Sequence, residues 1–107
     1  MGAQIELNTM LRLGPNDNKG SELKIGEKYT ISKANRRIYV MDIAILLLEE
    51  NWDAIGYCAI RKTIIEGGKM EITFELLSRF SPEEQRIVTD TMLDGLRLCG
   101  YLPAKPN

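Results

Sequence analysis

The side chains best suited to chemistry fall in one short run, Lys33, Asn35, Arg36, Arg37, Tyr39 and Asp42. A guanidinium is a flat fork of N–H donors that grips phosphate oxygens and stacks on an aromatic ring or a base. Two arginines beside a tyrosine, with an ammonium, an amide and a carboxylate close by, could therefore hold a nucleotide or a stretch of single-stranded RNA. The bland alternative is a hydrated turn leading into a strand. Trp52, the single tryptophan, joins this group either as a stacking wall or as an anchor of the core.

Other chemistries are excluded by residue type. There is no histidine, which removes Ser-His-Asp and Cys-His catalysis and any imidazole metal site. Cys58 and Cys99 alone do not complete a structural zinc site, and both are expected to be buried thiols in a reducing compartment. No Gly-x-Gly-x-x-Gly and no Walker loop occurs. Glu83 and Glu84 belong to a helix start. Glu49 and Glu50 read as a solvated turn, because neighbours on a strand point to opposite faces. Basic and acidic residues nearly balance, 14 against 15, without the excess of positive charge that duplex DNA binders show. No catalytic residue, metal or cofactor is expected.

These side chains must be positioned by short strands. Over 69 to 80, Met70, Ile72, Phe74, Leu76 and Phe80 alternate with Lys69, Glu71, Thr73, Glu75 and Arg79, the period of a strand with one buried face. Residues 52 to 65 are also strand-like, and Gly67-Gly68 supplies the positive φ angles of a tight hairpin turn. Two registers are open. A two-residue turn sets Ile65 against Met70 and Arg61 against Phe74. A three-residue loop sets Lys62 against Phe74 and buries Cys58 and Ile60 instead. A slip of one residue exchanges every side chain between core and solvent, and either choice leaves one cation on the apolar face.

Ser81-Pro82-Glu83-Glu84 then reads as a capping box with proline at the first helical position. An apolar stripe from Ile87 to Cys99, with Gly100 just beyond, predicts a helix over 82 to 99. Upstream, residues 4 to 13 alternate as a first strand, and 14 to 21 form a loop with no core residue. Leu23 to Ile31 form a second extended stretch, broken by a turn or bulge at Gly26. Ser32 to Asn35 is a turn candidate and Arg36 to Met41 a third strand. Periodicity alone does not separate strand from helix over 42 to 51; an extended buried segment is favoured.

Two resemblances follow. Met1 to Met10 and Arg37-Ile38-Tyr39-Val40-Met41-Asp42-Ile43 are similar to a family of short proteins of uncharacterised function from Bacillus-type bacteria. That family tends to have proline where Val40 and Ala44 stand, which implies an extended 42 to 48, and it does not reach residues 81 to 107. In layout, Leu23 to Thr30, the later strand pair and the acidic helix start resemble the PUA- and ASCH-like pseudobarrels. Some ASCH-like members are hydrolases using Lys, Thr and Glu. The nearest residues here are Lys28, Thr30 and Glu27 or Glu66, but Lys28 and Thr30 do not have the expected Lys-x-x-Thr spacing.

The expectation is one α+β domain over 1–107, a small, mostly antiparallel β-barrel of about five to six strands with one C-terminal helix. No apolar run is long enough for a membrane span and no signal peptide is visible, so a cytoplasmic protein is expected. The leading function is a non-enzymatic binding module for RNA or a nucleotide. The alternatives are a homo-oligomer joined by a strand edge or by the C-terminal helix, and a small ASCH-like hydrolase.

Overall fold

The computed structural model describes residues 7–34 and 38–100. In chain order the elements are β1 (Leu7–Asn8), β2 (Met10–Arg12), β3 (Lys28–Lys33), β4 (Ile38–Tyr39), β5 (Ala44–Leu48), β6 (Ala54–Glu66), β7 (Lys69–Arg79) and α1 (Pro82–Leu98). A five-stranded sheet runs β2-β5-β6-β7-β3, antiparallel except where β2 lies parallel to β5. β1 and β4 form a separate parallel pair. The main sheet curls into a half-barrel, and the Lys33 ammonium on one edge donates to the Arg12 carbonyl on the other. The architecture is the expected α+β one.

β6 and β7 are the frame; the two-residue register holds at their turn, and the three-residue one, with Lys62 against Phe74, does not occur. Gly67 and Gly68 have φ of 56° and 81°, the doubly left-handed geometry whose twist matches a hairpin. From there the two-residue register holds, Ile65 opposite Met70 and Lys62 opposite Thr73. At Arg61 a bulge inserts one residue, after which Ile60 faces Phe74 and Cys58 faces Leu76. The bulge resolves the problem of a cation on the apolar face, because a bulged residue re-aims its side chain. Arg61 turns to Asp42 at 2.7 Å and Glu75 at 3.3 Å. The hydrogen bond to Asp42 is the first of the contacts that raise its pKa further.

Inside the curl Leu11, Leu47, Ile60, Ile72, Phe74 and Leu76 are fully buried. They are the alternate residues of four strands, so the two-residue period of each strand builds one core. Cys58 lies among them, and burial pushes its thiol up to about 12. Of segment 42 to 48 only Ala44–Leu48 is extended, as favoured, and forms the central strand β5, paired on both sides; Asp42, at φ 61°, and Ile43 turn into it.

Several local expectations are corrected. Residues 4 to 13 are not one strand. Among the described residues, Leu7–Asn8 and Met10–Arg12 belong to different sheets, separated at Thr9. Ser32 and Lys33 continue β3 rather than turning. The third strand is only Ile38–Tyr39 within the described residues. Cys99 is exposed, because it caps a helix end that leaves the sheet. The loop before β3 does carry a buried residue. Gly20 sits against Ile55 and Glu49, where a Cβ would lie 2.7 Å from each, and Arg79 donates to the Gly20 and Leu23 carbonyls.

α1 begins as its sequence predicts. The Ser81 hydroxyl accepts from the Glu84 N–H at 3.2 Å, and the Glu84 carboxylate accepts from the Ser81 N–H at 2.9 Å. The helix docks on the start of β6, where Thr89 Oγ1 accepts the Ala54 N–H at 2.9 Å. Thr89 is the one buried residue of α1. No helix among the described residues is long and apolar enough to cross a membrane.

Candidate binding site

The turn between β5 and β6 is tied by its own backbone. Glu49 N–H donates to Asp53 O and Trp52 N–H to Glu49 O, at 2.9 and 3.0 Å. Closing in so few residues drives Trp52 to φ 75°. A bulky side chain in the left-handed region is uncommon and strained, and such strain concentrates at functional sites.

β2 ends beside this turn, with Arg12 opposite Leu48. The Arg12 guanidinium carbon lies 4.5 Å from the centroid of a Trp52 ring. Its Nε donates to the Glu50 carbonyl at 2.8 Å, and Nη2 donates to the same oxygen. The cation is therefore held over the indole, within the distance at which the ring quadrupole attracts it.

Across from the stack, residues 13–20 form the second wall. Gly14 N–H donates to Asp17 at 2.6 Å, and Gly20 N–H to Glu49 at 2.6 Å. Each carboxylate thus already accepts a backbone hydrogen bond. The two walls enclose an open cleft of about 480 Å³, lined among others by Arg12, Asn18, Lys19, Glu49 and Asn51. That lies within the range of small-molecule sites. Its lining includes two cationic, two amide and three acidic residues, Asp17, Glu49 and Glu50, of which the first two already accept backbone N–H groups.

The candidate residues from the sequence scatter around this arrangement. Trp52 is half-buried beneath Arg12 rather than in the core. Lys33 reaches the Arg12 carbonyl. Both are therefore brought to Arg12. Tyr39 is buried in the core cluster. Asp42, at φ 61°, holds Arg61 beyond the opposite end of β5. Asn35, Arg36 and Arg37 lie outside the described residues. The hydrolase candidates divide as well. Glu27, Lys28 and Thr30 lie at the start of β3, and Glu66 flanks the hairpin turn, opposite Lys69. Among the described residues no group of His, Cys, Asp and Glu could hold a metal ion.

Sequence reading missed Arg12, Asn18 and Lys19. Arg12 reads as an ordinary outward residue of an alternating strand, and its partner is forty positions away. The Gly14–Ser21 run does signal a turn-rich loop, but its composition does not say that Glu49 and Arg79 fasten it.

No protein-family model matches the chain, and no curated protein does. Among solved structures it is similar to protein ytmB from Bacillus subtilis, known from an X-ray crystal structure. The two are 26% identical, with a TM-score of 0.56 over 77% of this chain and 98% of that one. The chain thus has a distant relative in Bacillus, and its curled half-barrel is consistent with a pseudobarrel of the PUA- and ASCH-like kind.

Proposed function

We propose that the chain is a non-enzymatic binding module whose ligand is a nucleotide, free or at the end of a single-stranded RNA, held in the cleft between residues 13–20 and 49–52. The observation that carries this reading is the Arg12–Trp52 stack at the cleft. The Nη1 edge of Arg12 has no partner there among the hydrogen bonds of the described residues. That edge and the Lys19 ammonium suit phosphate oxygens, whereas the Asn18 amide can donate to and accept from a base edge, and Asn51, already bonded to Asp53 through both ends of its amide, has one further N–H to donate. Of the three acidic residues in the lining, Asp17 and Glu49 repel a phosphate less than free carboxylates would, because each is already hydrogen-bonded to a backbone N–H, and Glu50 holds Arg12 through its carbonyl.

Trp52 makes the test direct, since its fluorescence reports from the site. The full chain is titrated with nucleoside monophosphates and with short single-stranded RNA, at low and at moderate salt. The expected result is a saturable change that weakens with salt. Arg12→Ala should weaken binding by about tenfold or more, the worth of about 1.4 kcal/mol for one charge-assisted contact. Arg12→Lys keeps the charge and loses the planar stack, so it should also bind more weakly. A folded protein that shows no saturable change at low salt with either ligand removes the cleft from consideration.

A further inference from the structure

β6 is longer than the strand beside it. β5 covers it from Ala54 to Ala59, and Met41 bridges to Ile60. From Arg61 to Glu66 its only strand partner among the described residues is β7, on the other side. This half of β6 is therefore an open sheet edge, and Ile64 and Ile65 on it are 40% and 48% exposed. Open edges with apolar side chains are templates for pairing with another strand.

We propose that this edge pairs with itself, joining two copies of the chain antiparallel about a twofold axis at Ile64. The pattern of backbone hydrogen bonds sets the register. In a two-residue hairpin the flanking residues, Glu66 and Lys69, bond to each other. Alternation along an antiparallel ladder then commits Glu66, Ile64 and Lys62 to β7 and directs the N–H and C=O of Ile65 and Thr63 outward. Two such edges satisfy each other when Thr63 faces the partner's Ile65 and Ile65 faces the partner's Thr63. No other residues of the segment need to bond.

That register has a consequence in charge. Lys62 falls opposite the partner's Glu66, and Glu66 opposite the partner's Lys62. These are non-hydrogen-bonded pairs, where side chains come closest, so two ion pairs flank a central contact between Ile64 and the partner's Ile64. A lysine on an edge ordinarily discourages pairing; here the antiparallel arrangement supplies its counter-charge at both ends. Continuing the register, the partner's Gly67-Gly68 turn arrives beside Ile60, where Met41 and Ile43 are 39% and 53% exposed. The glycines bring no side chain to obstruct them. The contact is isologous and closes at two copies, and it does not rest on the nucleotide reading.

Sedimentation velocity of the full chain from about micromolar to about millimolar concentration tests the proposal. The expected result is a reversible rise from the mass of one chain to that of two. Lys62→Glu and Glu66→Lys should each weaken dimerisation by about tenfold or more, since each sets like charges opposite one another twice. Mixing the two variants should restore a dimer, because both cross-pairs are then complementary. The combined variant Lys62→Glu/Glu66→Lys, whose net charge is unchanged, should restore it as well. Thr63→Pro removes one outward N–H at an edge position that tolerates proline, and should give a monomer that melts near the parent temperature. A single-chain mass throughout overturns the proposal. So does a dimer indifferent to the single charge reversals, such as one lost instead on Leu98→Asp in α1. Association of the mixture without recovery in the combined variant also overturns it, as attraction by net charge alone.

Discussion

At Gly56 the hairpin strands come so close that a Cβ would lie 1.9 Å from the Ser78 carbonyl oxygen and 2.9 Å from the Arg79 Cα. Both obstacles are backbone, so no rotamer change relieves them. The cause is the second irregularity of the hairpin, between Tyr57 and Cys58, where Leu77 becomes the extra residue on β7. Gly56→Ala should therefore destabilise the fold by about 3 kcal/mol, the upper part of the usual cost of overpacking, read as a lower urea midpoint. Gly26→Ala is the informative contrast. A Cβ there meets nothing within 4 Å, and only its φ of 85° opposes the change, so the loss should be smaller, about 1 kcal/mol. The same scale explains why the candidate site was half legible. Trp52 and Lys33 draw notice as residue types, but Arg12, which gathers both, is marked by nothing within its own segment. Its role is created by the pairing of β2 with β5, a contact between distant parts of the chain.

The elements that announced themselves are those governed by local rules. The alternation of 69 to 80 and the capping box at Ser81 each act within a few residues, and β7 and α1 start and stop almost where the pattern ends. The hairpin register could not be read the same way, because two bulges confine the two-residue register to Lys62–Glu66 and Gly56–Tyr57, and between them the shift buries Cys58 and Ile60. The cap supports a prediction with a sign. Ser81→Ala should cost about 1 kcal/mol of stability, the usual worth of an N-cap hydroxyl. The Glu84 carboxyl is held below its ordinary value, first by the Ser81 backbone N–H and then by the Ser81 side chain. A depressed pKa in the folded state means stability that is present above the unfolded value, about 4.3 for glutamate, and lost as pH falls through the folded one. Melting of the parent and of Glu84→Gln should differ at neutral pH, with the parent higher, and the gap should close in acid below about pH 4. A gap that widens in acid would mean that the carboxylate does not cap the helix.

For the whole molecule, the core and the helix are unequally committed. Every member of the buried apolar cluster lies at or before Leu76. The curl of the sheet encloses that cluster, Lys33 ties one edge to the other, and the strap at Gly20 is fastened by Glu49 and Arg79. α1 comes after all of this. It lies against β6 and buries Thr89 alone, while Ile87 is 53% and Leu98 89% exposed. A segment with few buried contacts opens at lower free energy than the core it leans on. Native-state hydrogen exchange should therefore rank the two. Amides in the second half of α1, Met92 to Leu98, should exchange at least about 100-fold faster than those of Cys58, Ile60 and Phe74, a difference of about 2.7 kcal/mol in opening free energy. The first half, tied at Ser81 and at Thr89, should fall between. Equal protection across α1, β6 and β7 would show that the helix opens only with the sheet, and that its exposed stripe is held by more than the β6 contact.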